Sequence, residues 1–269
     1  MSGLNQTLSK WFGVHVVRDS KMKRLSKASH LLKQYRVDDC GNRHEQTNVH
    51  TRNGFRMLLD PSSTVDQSLL YSGFWEAEQI KFLFGHERIL QTKLQKVFFD
   101  VGAYSGLYSL IAARAQVFEQ IIALEPDRTN ICQLYANIFL NNYERLIEVH
   151  RLAASNHEGE VVFSDSKLIP GGNRGGTGVV QDSSADTYKV GCGRLDTLAP
   201  FRNKFVVAKI DVEGHELETL EGMKNLLLSN DVLFQVESFP NMQEAFFAEA
   251  FKLNLKHLGT IGPDHYFTN

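Results

Sequence analysis

Three observations predict an α/β fold built on a mainly parallel sheet with helices on both faces. Apolar strand-like runs alternate with helical patterns along most of the 269-residue chain. Parallel strands need such helical crossovers. Several of those runs end in an acidic residue, as at Asp100, Glu125 and Asp211. The first of them is followed at once by glycines and a new helical pattern, the tight strand-to-helix turn that lets backbone approach a ligand. Ligands of open α/β sheets bind beyond the carboxyl ends of the strands, so these acids are expected to converge on one crevice.

Composition sets the outer bounds. The hydrophobic share of 42% and charged share of 22% are those of a soluble globular protein with ample core. A net charge of −2 gives no global pull toward nucleic acid, so no nucleic-acid partner is expected. Cys40, Cys132 and Cys192 are too widely spaced for a metal pattern or a disulfide framework, which favours a reducing compartment. With neither a membrane-length apolar run nor a signal-peptide core at Met1–Asn5, the expectation is a cytoplasmic protein, with a place at the inner membrane face left open.

Residues 1–53 are expected to form a basic, partly helical N-terminal extension, and residues 54–269 the main domain. Lys10, Arg18, Lys21, Lys23, Arg24, Lys27, Lys33 and Arg36 face one acid, Asp19, and are interleaved with apolar residues. Residues 8–36 suit either peripheral contact with an anionic membrane or a partner, or a helical lid on the main domain with a solvated basic face. A strand is expected at 54–60 and a helix over 68–84. Glu76 and Glu78 come just before the core strand; both can reach the crevice, although solvated glutamates are the commoner outcome.

The run Lys96–Val101 is expected to be a buried strand, with Asp100 at its carboxyl end and the Gly102–Gly106 turn after it. Ser105 is placed to cap the helix carrying Leu107, Leu110, Ile111 and Ala115. The spacing Asp-x-Gly-x-x-x-Gly differs from the three-glycine dinucleotide fingerprint that seats a pyrophosphate. An acid in the first position repels phosphate and suits a cationic, hydroxyl-rich ligand such as S-adenosylmethionine. About twenty residues on, Gln120–Leu124 ends in Glu125, placed to accept hydrogen bonds from ribose hydroxyls. Pro126 and Asp127 are expected to open the next helix. Strands follow at 147–155 and 159–163, and then a glycine- and serine-rich stretch over 165–194. That stretch reads as a mobile loop over the site or as a plain insertion. Phe205–Ile210 then leads into Asp211, Glu213, His215 and Glu216 at another glycine turn, with a helix, a strand at 231–237, a helix at 241–253 and a closing hairpin at 258–267.

Taken together, Asp100-Val101-Gly102-Ala103-Tyr104-Ser105-Gly106, Glu125-Pro126-Asp127 and Lys209-Ile210-Asp211-Val212-Glu213-Gly214-His215-Glu216 resemble the motifs of FkbM-type S-adenosylmethionine-dependent methyltransferases. The Ala153-Ala154-Ser155 strand end and Arg194-Leu195-Asp196-Thr197-Leu198 fit the same resemblance, which covers about residues 54–240. It implies a class I, Rossmann-like methyltransferase fold, doubly wound, with a C-terminal antiparallel strand. It also implies O-methylation of a sugar, glycan or secondary-metabolite acceptor. The cofactor residues expected are Asp100, Gly102, Ala103, Tyr104, Ser105, Gly106, Glu125, Pro126, Asp127, Ala154 and Asp211. His215 is the first candidate for the base, as its ordinary pKa lies near neutrality, or else a helix cap. Glu213 either orients His215 or takes the proton itself. Asp211 either anchors the cofactor's amino-acid end or holds a divalent ion with Glu213; metal dependence is not favoured. Two other classes stay open: a non-catalytic cofactor-binding scaffold in a glycan-assembly complex, and a nicotinamide-dependent oxidoreductase. The oligomeric state is not legible.

Overall fold

The computed structural model describes residues 48–165, 173–181 and 186–269. The basic segment over 8–36 lies outside these residues. Two strands, β1 (Asn48–Arg52) and β2 (Phe55–Leu59), form an antiparallel hairpin. The boundary expected between residues 53 and 54 therefore falls in a hairpin turn, and strand pairing ties residues 48–53 to the main body.

Helices α1 (Thr64–Tyr71), α2 (Ala77–Phe84) and α3 (Glu87–Gln91) lead to the first core strand, β3 (Lys96–Val101). The single helix expected over 68–84 is in fact two. Gly73 and Glu76 both have positive φ (79° and 48°), a conformation that breaks helical hydrogen bonding, although the apolar residues on either side keep a helical period.

The main sheet alternates strand and helix from β3 through α4 (Leu107–Ala115), β4 (Gln120–Leu124), α5 (Asn130–Leu140) and β5 (Ile147–His150). The strand expected over 147–155 breaks after His150, and β6 (Ala153–Ala154) pairs elsewhere. It joins β7 (Gly159–Ser164) and β8 (Thr187–Gly193) in a small second sheet of order β6-β8-β7. Part of the stretch expected as loop over 165–194 is thus the strand β8. After the short α6 (Leu195–Leu198), β9 (Phe205–Ile210) returns to the main sheet. Then follow α7 (Glu216–Gly222), α8 (Lys224–Ser229), β10 (Asp231–Glu237), α9 (Pro240–Lys252), β11 (Lys256–Ile261) and β12 (Asp264–Thr268).

The seven-stranded order is β11-β12-β10-β9-β3-β4-β5. Strands β5, β4, β3, β9 and β10 are parallel, and β12 runs antiparallel between β10 and β11. Side-chain alternation on β3 sends Phe98 into an apolar layer with α4 and the β2 hairpin, and Val97, Phe99 and Val101 into a second layer with α7, α8 and α9. Both faces are covered, which is why these strands are nearly continuous runs of apolar residues. The chain winds outward from β3 through β4 to β5 and returns to β9 on β3's other side. The crevice lies at this switch point, just beyond the carboxyl ends of β3 and β9, which stay paired up to Val101 and Ile210.

Candidate active site

A cavity of about 240 Å³ lies at this point, and Asp100, Glu125 and Asp211 all line it. The three acids come from β3, from the residue after β4 and from the residue after β9, so convergence follows from the topology. The turn after β3 is tightly built. Gly102 has φ +80°, and a Cβ there would sit 1.7 Å from the carbonyl oxygen of Asp211. Only glycine lets the two strand ends approach this closely.

Asp100 is buried, and its Oδ2 accepts from the Ser109 backbone N–H (2.8 Å) and hydroxyl (2.6 Å). Ser109 lies in the first turn of α4, so Asp100 satisfies a donor of the kind Ser105 was expected to satisfy. The capping position itself is Gly106, in the left-handed region. Ser105 Oγ instead lines the cavity, buried and with no hydrogen-bond partner among the described residues. Burial also raises the Asp100 carboxyl above the usual carboxylate range.

Glu125 is clamped by backbone. Its Oε2 accepts from Tyr104 N–H (2.7 Å) and its Oε1 from Asp127 N–H (2.8 Å), which fixes the carboxyl plane against the Gly102–Gly106 turn. Burial pushes its pKa up to about 8. A carboxylate has roughly four acceptor positions, so two hydroxyl donors still fit beside the two amides. Gly102, Ala103, Tyr104, Pro126 and Ala154 line the same wall. Asp127 does not. Its Oδ1 accepts the N–H groups of Thr129 and Asn130 (both 2.8 Å), and its Oδ2 accepts from Tyr188 Oη. It caps α5, which starts at Asn130 and not at Pro126, and it turns away from the crevice. Gly106 likewise stays out of the lining and packs on Leu134.

The opposite wall is acidic; Glu76, expected as able to reach the crevice, lies on it with Asp211 and Glu213, and so do Trp75, Lys209 and Glu237, for which no site role was expected. Lys209 is a buried lysine at the end of β9, its Nζ 2.5 Å from Asp211 Oδ2 and 4.9 Å from the centre of the Tyr108 ring. Burial alone would lower its pKa, but Asp211, Glu76 and Asp100 hold it above the ordinary value. Glu76 reaches the cavity because the chain breaks between α1 and α2, and its Oε2 accepts from Tyr108 Oη at 2.6 Å. Trp75 comes in with it, while Glu78 is exposed and outside the lining. Glu237 ends β10 and faces the same space. Its strand ends in an acid like the strands before Glu125 and Asp211, so the same rule could have found it.

Glu213 and His215 both line the cavity, but their surroundings differ. The Glu213 carboxyl makes no hydrogen bond or ion pair among the described residues. Its pKa is pushed up to about 7, by burial first and then by Asp211 and Glu216. One ring nitrogen of His215 is engaged: Nε2 lies 3.0 Å from Ser155 Oγ, while Nδ1 lies 3.5 Å from Glu218 Oε2, beyond a hydrogen bond. Burial lowers its pKa. The ring is an edge of the wall, at the residue before α7.

The remaining side is closed by the glycine-rich stretch, which contributes Asn173, Gly175, Thr177 and Val179. These residues are pinned by Arg174, which is buried beneath them. Its guanidinium lies 3.3 Å from Asp60 and 3.8 Å from Asp66 and donates to Asn130 Oδ1 and Gln133 Oε1. Asn173 Oδ1, like Ser105 Oγ, is buried without a partner among the described residues. Unsatisfied polar atoms in a cavity wall are costly unless a polar ligand meets them, so the wall fits a hydroxyl- and amine-bearing cofactor such as S-adenosylmethionine. Among the described residues one acidic group has the spacing to hold a metal ion: Glu76, Asp211 and Glu237, with ligand atoms within 4.8 Å of one another. Asp211 is thus grouped with these two and not with Glu213, and one of its oxygens already carries Lys209.

A doubly wound sheet of this order, with an inserted antiparallel strand and acids meeting at the switch point, is the class I methyltransferase fold. The chain belongs to the methyltransferase FkbM domain family, whose model matches residues 100–259, more than half of the sequence. A relative, the hexuronic acid methyltransferase AglP of Haloferax volcanii, is 29% identical over 170 residues, covering 61% of this chain and 67% of that protein. Among solved structures, the methyltransferase FkbM of Methylobacillus flagellatus KT aligns with a TM-score of 0.47 at 18% identity, over 71% of this chain. This chain spans about half (48%) of that one. A ribosomal protein L11 methylase from Lactobacillus delbrueckii subsp. bulgaricus aligns with a TM-score of 0.42 at 12% identity, over 72% of this chain and 79% of that one. No helix of the described residues is long and apolar enough to cross a membrane.

Proposed function

We propose that this protein uses S-adenosylmethionine to methylate a hydroxyl group of a sugar-like acceptor, in the cytoplasm or at the inner face of a membrane. The observation that carries the proposal is the meeting of Asp100, Glu125 and Asp211 in one cavity that also holds the Glu213 carboxyl, which has no partner among the described residues. The name of the relative AglP supports a sugar acceptor.

When bound, S-adenosylmethionine supplies an electrophilic methyl group on a sulfonium. Glu125 accepts the ribose hydroxyls, and the Gly102–Tyr104 turn, Ser105 and Asp100 flank the cofactor's amino-acid end. Lys209 holds Asp211 in one orientation, and Asp211 and Glu237 accept hydrogen bonds that aim the acceptor oxygen. Glu213 would take the proton that the acceptor's hydroxyl loses when the bound methyl donor's carbon–sulfur bond gives way to the new carbon–oxygen bond. A base with a pKa near the working pH is well suited to this; Glu213 has one, with no hydrogen bond to its carboxyl among the described residues, whereas His215 Nε2 is held by Ser155 and burial lowers its pKa. Much of the acceleration comes from alignment, which removes orientational freedom beforehand.

Calorimetry with S-adenosylhomocysteine, and mass spectrometry of glycans incubated with labelled S-adenosylmethionine, test the reading. It requires tight nucleoside binding and a gain of one methyl; binding of NAD in preference would end it. Glu125→Ala is expected to weaken nucleoside binding by about 1–3 kcal/mol, the scale of hydrogen bonds to a charged group. Unchanged affinity in a folded variant removes that role. For His215→Ala, turnover is expected to stay well above that of Glu213→Gln; the reverse order returns the base to His215.

A further inference from the structure

From the linker between α1 and α2 we infer that Trp75 binds the acceptor: one apolar face of a pyranose ring packs on its indole, while carboxyl oxygens of the same wall take the ring's hydroxyls. The inference rests on the sugar-hydroxyl reading above and narrows it to a cyclic polyol.

The chain has two tryptophans, and Trp75 is the one within the described residues. It lines the main cavity and also a small, mostly apolar pocket of about 40 Å³ bordered by Phe55, Leu69, Ile80 and Leu107. The ring thus stands between the apolar core, which backs it, and the acidic cavity. The backbone that puts it there is unusual. Glu76 has φ 48°, a left-handed conformation that a residue with a side chain keeps only where its surroundings hold it. Here they do. Tyr108 Oη donates to Glu76 Oε2 (2.6 Å), and the hydroxyls of Ser68 and Ser72 donate to the Phe74 carbonyl (2.8 and 2.9 Å). Backbone held against its own preference in a cavity wall is the pattern of a ligand-binding segment.

The chemistry of the wall selects the ligand. Glu76, Asp211 and Glu237 each offer a carboxyl oxygen within 4.8 Å of the others', and Glu213 lines the same cavity. A carboxyl group accepts hydrogen bonds whether or not it is ionised, so this edge takes hydroxyl donors on either side of its pKa. A simple phenol fills one of these positions and leaves the others unmet. An acyclic polyol fills several but has no rigid apolar face to lay on the indole. A pyranose ring does both, since its axial C–H bonds point to its faces and its hydroxyls lie around its edge. Trp75 therefore fixes the plane of the ring, and the acids fix its rotation within that plane.

The test measures methyl transfer from labelled S-adenosylmethionine to the methyl pyranosides of glucose, N-acetylglucosamine and glucuronic acid, to a hexitol and to 4-methylphenol, with S-adenosylhomocysteine calorimetry in parallel. The best glycoside is expected to exceed the hexitol and the phenol by about tenfold or more in kcat/KM. Trp75→Ala should raise that glycoside's KM by about tenfold, the scale of one or two buried methylene groups, with kcat and nucleoside affinity within about threefold. Trp75→Phe should recover most of the loss. In a Trp11→Phe background Trp75 is the one remaining tryptophan, and saturating glycoside should quench or shift the emission of the S-adenosylhomocysteine complex. Should Trp75→Ala not fold, the emission titration decides. A preference for the hexitol or the phenol, a KM unmoved in folded Trp75→Ala, or an unmoved emission overturns the inference and leaves methyl transfer standing. Transfer to none of the five, with nucleoside binding intact, overturns the sugar-hydroxyl reading itself.

Discussion

Glu213→Gln is expected to lower turnover by about two to four orders of magnitude, the usual worth of a positioned general base. Affinity for S-adenosylhomocysteine should stay within about twofold, because the lost group acts only as the proton leaves. The pH dependence gives a sharper test. The base works ionised, so wild-type turnover should climb as pH rises through about 7, and that limb should vanish in the variant. A variant that keeps both the rate and the limb dismisses Glu213. Stability should move the other way. A carboxyl raised by burial stabilises the fold only while protonated, and that stability is lost as pH rises from its unfolded value of 4.5 through about 7. The glutamine variant should therefore melt higher than wild type at pH 8 and nearly with it at pH 5, as read by calorimetric Tm.

Arg174→Met is the largest stability change expected, a loss of about 3–5 kcal/mol, because a buried carboxylate network loses its cation. Asp60 and Asp66 are left without the guanidinium, and Asn130 and Gln133 each lose a donor. Part of the loss can be absorbed by a proton. Burial already pushes Asp66 up to about 6, and without Arg174 it must rise further. The deficit should be greatest near pH 8 and shrink toward pH 5, measured by urea melts at both. A deficit independent of pH would show that Arg174 acts by packing alone.

The sequence and the structure agree best where the signal is local. Strand, glycine turn and helix follow each other within Lys96–Ala115, so Asp100 and Gly102 could be placed without knowing what packs on them. The strand-end rule likewise located Glu125 and Asp211. Asp127 misled because a helix-capping aspartate beside a strand end looks the same in one dimension as a ligand. Trp75 was hidden by residues 74, 75, 80, 82 and 83, whose spacing suits one long helix, while Glu76 was named as able to reach the crevice without a reason to prefer it over Glu78; the deciding break depends on the backbone at Gly73 and Glu76. Arg174 was lost among glycines, since its burial depends on Asp60, Asp66 and Gln133, which are 114, 108 and 41 residues away in sequence. Lys209 stood in the quoted Lys209–Glu216 motif with no role of its own. Its pairing depends on Asp211 beside it and on Asp100 and Glu76 from two other segments.

The break between α1 and α2 has a consequence for how such enzymes diversify. The residues proposed to hold the nucleoside fall within 100–259, the span the family model matches, whereas Trp75 and Glu76 precede it. On the proposed reading, the cofactor wall and part of the facing wall are therefore encoded in separable stretches of sequence. A change around residues 72–76 would then reshape the cavity while leaving the proposed methyl-donor grip intact.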